Sequence, residues 1–477
     1  MKKWSLLFIG SFLGWVLPGP AADVGSLRWS QVFQTSPTRD GRVVIVYRAV
    51  RVGDRYLAVV LGTFQSPEGK ERLRKSYGSP TFLAPAWFST QWQLLHLGDP
   101  LFAAPVELNP GPLAGWEPSL LDPLGFPRYP VHRFPKVLVR MAGAAWCPYL
   151  IVTTTQIACL DESLRLGPHW EIPFQGMDVF SWQEAIWIAG YHDGFLLHEV
   201  RVTDEGHGPY EIRPARIVRS VGTLHDLKTF LEKRGYSSAD LRDLDPSTWD
   251  LFVQLADKNR KKMTENPQKL ESLMRKDPKG RRYLPFGLHA SLRPFHLPMA
   301  ATAQGDRAYV VLHRPFGVVV VGAEGSILDF WPIRREDLPP SIRNYSRPAV
   351  WDISLARDRL FINVRLERDI PYQELRTVDP AAAARLAEQW DVISRQRCSD
   401  IVPCGRPLTP ETVTGTEHAL YGFEMTKRGT IDRVYSLDVS DGQWFRWIAP
   451  VFFPTPDEMW MPVRTTEYER GVARMIW

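Results

Sequence analysis

Segments in which apolar and polar positions alternate with period 2, bounded by Gly, Pro and Asp, dominate the chain. Clear examples are Arg42–Val50, Tyr56–Leu61, Lys136–Met141, Ile186–Tyr191, Tyr309–Leu312 and Gly317–Val321. Each is rich in β-branched or aromatic residues, so each predicts a strand. Two regions break this pattern with helical spacing. Over 223–282, Thr223 can cap a helix with Leu224, Leu227, Phe230 and Leu231 on one face and Gly235 at its end. Asp245-Pro246 and Asn266-Pro267 start two more, the first with Trp249, Phe252, Val253 and Ala256 at i, i+3, i+4, i+7. Asp379-Pro380 begins the second region, which runs through Leu386, Trp390 and Ile393 to Cys404.

The strands carry a repeat. Gly53-Asp54-Arg55-Tyr56-Leu57 recurs as Gly305-Asp306-Arg307-Ala308-Tyr309-Val310 and as Arg357-Asp358-Arg359-Leu360-Phe361-Ile362, with a weaker copy at Gly98-Asp99-Pro100-Leu101-Phe102. An Asp side chain can bond the backbone two residues on, so each copy reads as a tight turn leading into a strand. Similar openings without Asp-Arg lie near Pro148, Ala185 and His418. The openings at 54, 99, 148, 185, 306, 358 and 418 are 37–60 residues apart except across the first helical region. Downstream of three of them a strand, an acidic or glycine turn and a Trp-bearing strand follow, ending at Trp170, Trp331 and Trp444/Trp447. Each unit therefore holds at least three consecutive antiparallel strands. Units of this size, each a small sheet that shelters its neighbours' edges, are what propeller blades require.

On these residues the chain resembles the β-propeller superfamily. Tyr435-Ser436-Leu437-Asp438 with Gly442 and Trp447 resembles a quinoprotein-type blade, and Asp306–Trp331 the blades of exported NHL-type propellers. The resemblance implies an all-β fold of about seven blades, six or eight also being compatible, with two helical insertions. The expected organisation is a signal peptide over 1–22, blades over 23–222, a basic helical insertion over 223–282, blades over 283–378, a helical insertion with a disulfide loop over 379–404, and the last blade and closure over 405–477. It implies no activity, because propellers host many functions.

Composition adds the compartment. Lys2 and Lys3 precede an apolar run from Trp4 to Leu17, followed by Pro18, Gly19, Pro20, Ala21 and Ala22. A positive start, a short apolar stretch and small residues are the parts of a secretory signal, and the run is too short to span a bilayer. The expectation is export to a periplasmic or extracellular space, with no transmembrane segment in the mature chain. In that oxidising setting the four cysteines favour two local disulfides, Cys147–Cys159 across an apparent hairpin and Cys398–Cys404 closing a small loop. No pair has the C-x-x-C spacing of a zinc site.

Charge is concentrated. Between Asp257 and Arg282 ten basic residues face four acidic ones, a net +6 in a chain whose total is +5. Lys258, Arg260, Lys261, Lys262, Arg275, Lys276, Arg281 and Arg282 form the candidate docking patch for a protein or polyanionic partner. Nucleic acid is not expected, since aromatic interleaving is missing. The competing reading of the patch is a solvated helix face. For ligands, the candidates are Asp178 and Asp352, at corresponding places before strand openings, the Trp182 and Trp351 rings, and His289 and His296 after the first insertion. Inner-strand acids of this kind can hold a channel cation; no cofactor is otherwise required. The bland readings are inter-blade packing for the tryptophans and structural bonding for the histidines, including His192 and His198, which straddle Asp193-Gly194. The sequence has no H-E-x-x-H, G-x-S-x-G, P-loop or adjacent cysteines. The expected function is an exported binding or scaffold propeller. The alternative is a propeller hydrolase or lyase with a channel-mouth site, metal-dependent or glycan-directed.

Overall fold

The apolar runs form strands buried on both sides. In Arg307–Leu312, Ala308, Val310 and Leu312 enter one core cluster, while Tyr309 and Val311 enter another. Gly317–Gly322 divides the same way, Val319 and Val321 against Val318 and Val320. Successive strand side chains point to opposite faces, so a sheet sandwiched between two others needs apolar residues at consecutive positions. The computed structural model describes residues 24–35, 42–64, 66–71, 81–98, 136–139, 147–152, 156–172, 174, 176–202, 212–237, 241, 244, 298–312, 315–343, 347–378, 380, 383, 384, 414–437, 443–446, 451–465 and 469–476.

The strands make six sheets. Two N-terminal strands come first, β1 (Val24–Ser26) and β2 (Arg28–Gln34). Blade 1 is β3 (Arg42–Val52), β4 (Arg55–Phe64), β5 (Thr81–Ser89) and β6 (Leu94–Leu97). Blade 2 is β7 (Lys136–Val139), β8 (Tyr149–Val152), β9 (Gln156–Leu160) and β10 (Leu166–Glu171). Blade 3 is β11 (Gly176–Trp182), β12 (Ala185–His192), β13 (Phe195–Arg201) and, after β14 (Ile212–Pro214), β15 (Arg216–Thr223). Blade 4 is β16 (Pro298–Gln304), β17 (Arg307–Leu312), β18 (Gly317–Gly322) and β19 (Ile327–Pro332). Blade 5 is β20 (Arg347–Ala356), β21 (Arg359–Pro371), β22 (Thr414–Met425) and β23 (Ile431–Ser436). Blade 6 is β24 (Trp444–Arg446), β25 (Phe452–Thr455), β26 (Glu458–Thr465) and β27 (Arg470–Ile476).

The first strands β3, β7, β11, β16 and β20, and β25 of blade 6, pack against one another in that order, and β25 packs back on β3. The sheets thus close a ring, and the chain is a six-bladed β-propeller. Six is the low end of the expected range. Five of the seven repeat openings mark second strands of blades 1–5. The one near His418 falls inside β22, and Asp99 lies outside the described residues. The sixth blade opens instead at Pro456-Asp457, where Thr455 pairs Glu458.

Each pair of neighbouring blades has its own core. Phe180, Trp187 and Val221 of blade 3 meet Ala308 and Val319 of blade 4; Val46 and Phe88 of blade 1 meet Phe452 and Trp460 of blade 6. The other four interfaces are built alike. This is how a chain too long for one core stays folded. The N-terminus closes the ring: β2 adds antiparallel to β27 as the outer strand of blade 6, and β1 adds parallel to β23 of blade 5.

The disulfide Cys147–Cys159 is present, its Cα atoms 5.5 Å apart, and ties the start of β8 to β9 in blade 2. Cys398 and Cys404 lie outside the described residues, as do residues 1–22. A helix spans Leu224–Lys233, its first turn capped by the Thr223 hydroxyl accepting from the Asp226 amide at 2.9 Å. Leu224, Leu227 and Leu231 are buried against blades 3 and 4, and Gly235 follows at φ +86°. A helix occupies Tyr372–Val378, just before the second insertion, whose expected helix from Asp379-Pro380 lies almost wholly outside the described residues.

Candidate functional site: the centre of the ring

Five of the six first-to-second-strand connections are two-residue hairpins: Gly53-Asp54, Gln183-Glu184, Gly305-Asp306, Arg357-Asp358 and Pro456-Asp457. They set a common register for the inner strands. Four residues before the last inner-strand residue stand Arg48, Asp178, Ala300 and Asp352, in blades 1, 3, 4 and 5. In all four blades the ladder shifts just before that residue, at Tyr47, Met177, Met299 and Trp351. A bulge of this kind bends a strand and re-aims the next side chain. Here it lies at one level around the ring.

At that level Arg48 of blade 1 forms an ion pair with Asp352 of blade 5. Blades 1 and 5 are not neighbours, so the pair passes the inner edge of blade 6. Both side chains are largely buried, at 13% and 3% exposure. Burial works against the Arg48 charge, but the Asp352 carboxylate, with Asp178 adding to it, outweighs that cost and holds the guanidinium more firmly protonated than usual. Asp178 also locks two blades together. Its Oδ1 accepts from the Val179 amide at 2.9 Å and its Oδ2 from the Ala301 amide of blade 4 at 2.8 Å. Asn363 lies directly across from Asp352 in β21 and is 1% exposed.

The structure thus brings Asp178 and Asp352 to the centre of the ring. Arg48 and Asn363 join them, and neither stood out in the sequence. Their signal was positional only: Arg48 sits at the Asp178 and Asp352 register, and Asn363 where other blades carry Val59, Ala189 and Val311. Trp182 is buried among Trp187 and the blade 3–4 core, and its indole N–H donates to the Gly305 carbonyl at 3.0 Å. Trp351 is the bulge residue of β20. His289, His296 and the basic residues from Lys258 to Arg282 lie outside the described residues.

His192 and His198 flank the Asp193-Gly194 hairpin as the sequence suggests, with Asp193 and Gly194 at φ +49° and +83°. His198 Nε2–H donates to the Gly190 carbonyl at 3.1 Å, so its Nδ1 accepts from the Ser220 hydroxyl at 2.8 Å. Burial, with His192 nearby, pushes its pKa down to about 4. Phe174 packs on both rings, at 5.3 and 4.4 Å. These groups are engaged in packing blades 2 and 3. Among the described residues no group of three or more His, Cys, Asp or Glu side chains is placed to hold a metal ion.

The chain's direction fixes the face from which each connection leaves. It runs along each inner strand to the hairpin, so second strands, and the connections between blades, end at the opposite face. Residues 65–80, 98–135, 234–297 and 379–413 all leave from and return to that second face.

Solved structures that align with the chain are remote from it in sequence. A DUF4221-family protein from Bacteroides vulgatus aligns over 94% of this chain and 98% of its own at 6% identity and a TM-score of 0.40. The Pan2 WD40 domain of Neurospora crassa aligns over 95% and 96% at 7% identity and a TM-score of 0.35. BamB from Moraxella catarrhalis aligns over 95% and 98% at 7% identity and a TM-score of 0.32. No family model matches the chain, and no curated protein matches it. Among the described residues no helix is long and apolar enough to cross a membrane.

Proposed function

We propose that this chain is an exported propeller that serves as a binding or scaffold module for a protein or other anionic partner. The observation that carries the reading is that the four longest connections start and end on one face. A ring whose longest connections are all anchored on a single side has the organisation of a binding scaffold, since loops held by a fixed frame carry recognition. The segment with the +6 window, 257–282, belongs to one of those connections and supplies a positive field that steers anionic surfaces. At the centre of the ring the acids are paired or bonded, which suits a frame better than a reaction centre.

The test is partner capture from the periplasmic or extracellular fraction by the whole protein, beside a variant with Lys261, Lys262, Lys276 and Arg281 changed to Glu. Capture by the parent that weakens with salt and disappears in the variant is the expected result. Capture that is unchanged by the reversal places the docking surface elsewhere.

A further inference from the structure

Asn363 is a polar side chain in a place that blades 1, 3 and 4 keep apolar. Ile362 and Val364 point into the core shared with blade 4, whereas Phe361 enters the core shared with blade 6. By strand alternation Asn363 shares the Phe361 side. Asp352 is its directly opposed partner on β20, so the two side chains stand together on that side. Arg48 reaches the same carboxylate from blade 1. The inner edge of blade 6 is broken there. Among the described residues β24 pairs with Val463–Thr465 and β25 with Glu458 and Trp460, leaving Met461 and Pro462 of β26 outside both registers.

Within this cluster neither Nδ2 nor Oδ1 of Asn363 has a hydrogen-bond partner among the described residues, and neither does Nε of Arg48. Buried polar groups in folded proteins are bonded, and an orphaned one is costly to keep. Val59 and Val311, equivalent to Asn363 in blades 1 and 4, show that an apolar residue fits this fold position.

We propose that Asn363, Arg48 and Asp352 form a binding site for a neutral hydroxyl-type oxygen. Such an oxygen accepts from Asn363 Nδ2–H or Arg48 Nε–H and donates to Asn363 Oδ1. Arg48 and Asp352 already compensate each other, so these three residues have no net charge to offer an ion. A further anion meets the Asp352 carboxylate, and a cation meets the guanidinium. Two sources share this chemistry: an internal water, and a hydroxyl of a small polyol or sugar-like molecule carried through purification.

The experiment compares the whole protein with Asn363→Val, and with Asn363→Ala, the residue Ala189 supplies at this position in blade 3. Native mass spectrometry, thermal melting and a crystal structure resolving ordered solvent are measured for each. The expected result is an oxygen within hydrogen-bond distance of Asn363 that is missing from both variants, with Tm unchanged or lowered. A native mass equal to that of the chain assigns the oxygen to water; an excess mass lost in the variants assigns it to a bound polyol. A dry Asn363 in the parent, or an Asn363 amide bonded only to protein groups, overturns the proposal. So does a Tm that rises by roughly 2–4 °C in Asn363→Val, the sign of a relieved orphan.

Discussion

At the residue scale the charges inside the ring are few and committed. Replacing Arg48 by Met leaves the Asp352 carboxylate buried without its cation, which typically costs about 3–5 kcal/mol, whereas removing both charges together is often near neutral. Denaturant unfolding of Arg48→Met, Asp352→Leu and the double variant should therefore show the double variant more stable than either single one. Additive losses would mean that the two side chains do not act as a pair. His198 gives a pH signature. Its folded pKa of about 4 lies below the ordinary value of 6.5, so the native state holds the neutral ring and the unfolded state takes up the proton first. The stability this contributes is full above pH 6.5 and is lost as pH falls toward 4, by an amount on the order of 3 kcal/mol. Tm measured from pH 7.5 to 4 should fall in that window and flatten there in His198→Gln. Asp178 and Asp352 were legible at this scale because an acid before a strand opening stands out. Arg48 and Asn363 were not, because a lone Arg or Asn in a strand has no local pattern until the register of the second blade is laid over the first.

At the element scale the hairpins do the most. Besides aligning the bulges they tie neighbouring blades along one rim. Trp182 bonds Gly305, Gln304 donates to Asp358 at 3.5 Å, Arg357 to the Asp457 carbonyl at 3.3 Å, and Tyr56 to Glu458 at 3.0 Å. Gln183 and Glu184 hold φ of +50° and +61°, a left-handed conformation that costs a residue with a Cβ roughly 1–2 kcal/mol. Both are exposed, so replacing them with Asn-Gly, the pair suited to such turns, should raise the denaturation midpoint without altering the slope. The repeat opening was readable because Gly-Asp and Arg-Asp turns look alike from blade to blade. Pro456-Asp457 performs the same turn without Gly or the following Arg, and so the sixth opening was missed. His418 imitated an opening because the apolar run after it continues β22 rather than starting a strand. The bulge positions were illegible for a different reason. Tyr47, Met177, Met299 and Trp351 share a ladder position but no single residue type that marks it.

At the scale of the whole molecule the ring is closed by its first described strands. Six inter-blade cores hold it, and the one between blades 6 and 1 depends on a blade whose outer strand, β2, comes from the opposite end of the chain. Residues 24–34 also supply β1 to the edge of blade 5, so one segment secures two consecutive blades. Removing it exposes the ladder edge of β27 from Arg470 to Ile476 and uncovers Val472, Ala473 and Met475 on the faces they now share with blades 1 and 5. An unpaired strand edge is a template for another chain. Deleting residues 24–34 should therefore do two things. Hydrogen exchange at Gly471–Ile476 should accelerate while the amides of β12 and β13 in blade 3, on the far side of the ring, stay protected. The protein should also self-associate in light scattering, and a synthetic peptide spanning residues 24–34 should reverse that by occupying the edge in trans. A truncated chain that stays monomeric with unchanged exchange in β27 would mean that the ring is held shut by the inter-blade cores alone, with β2 an ornament on its rim.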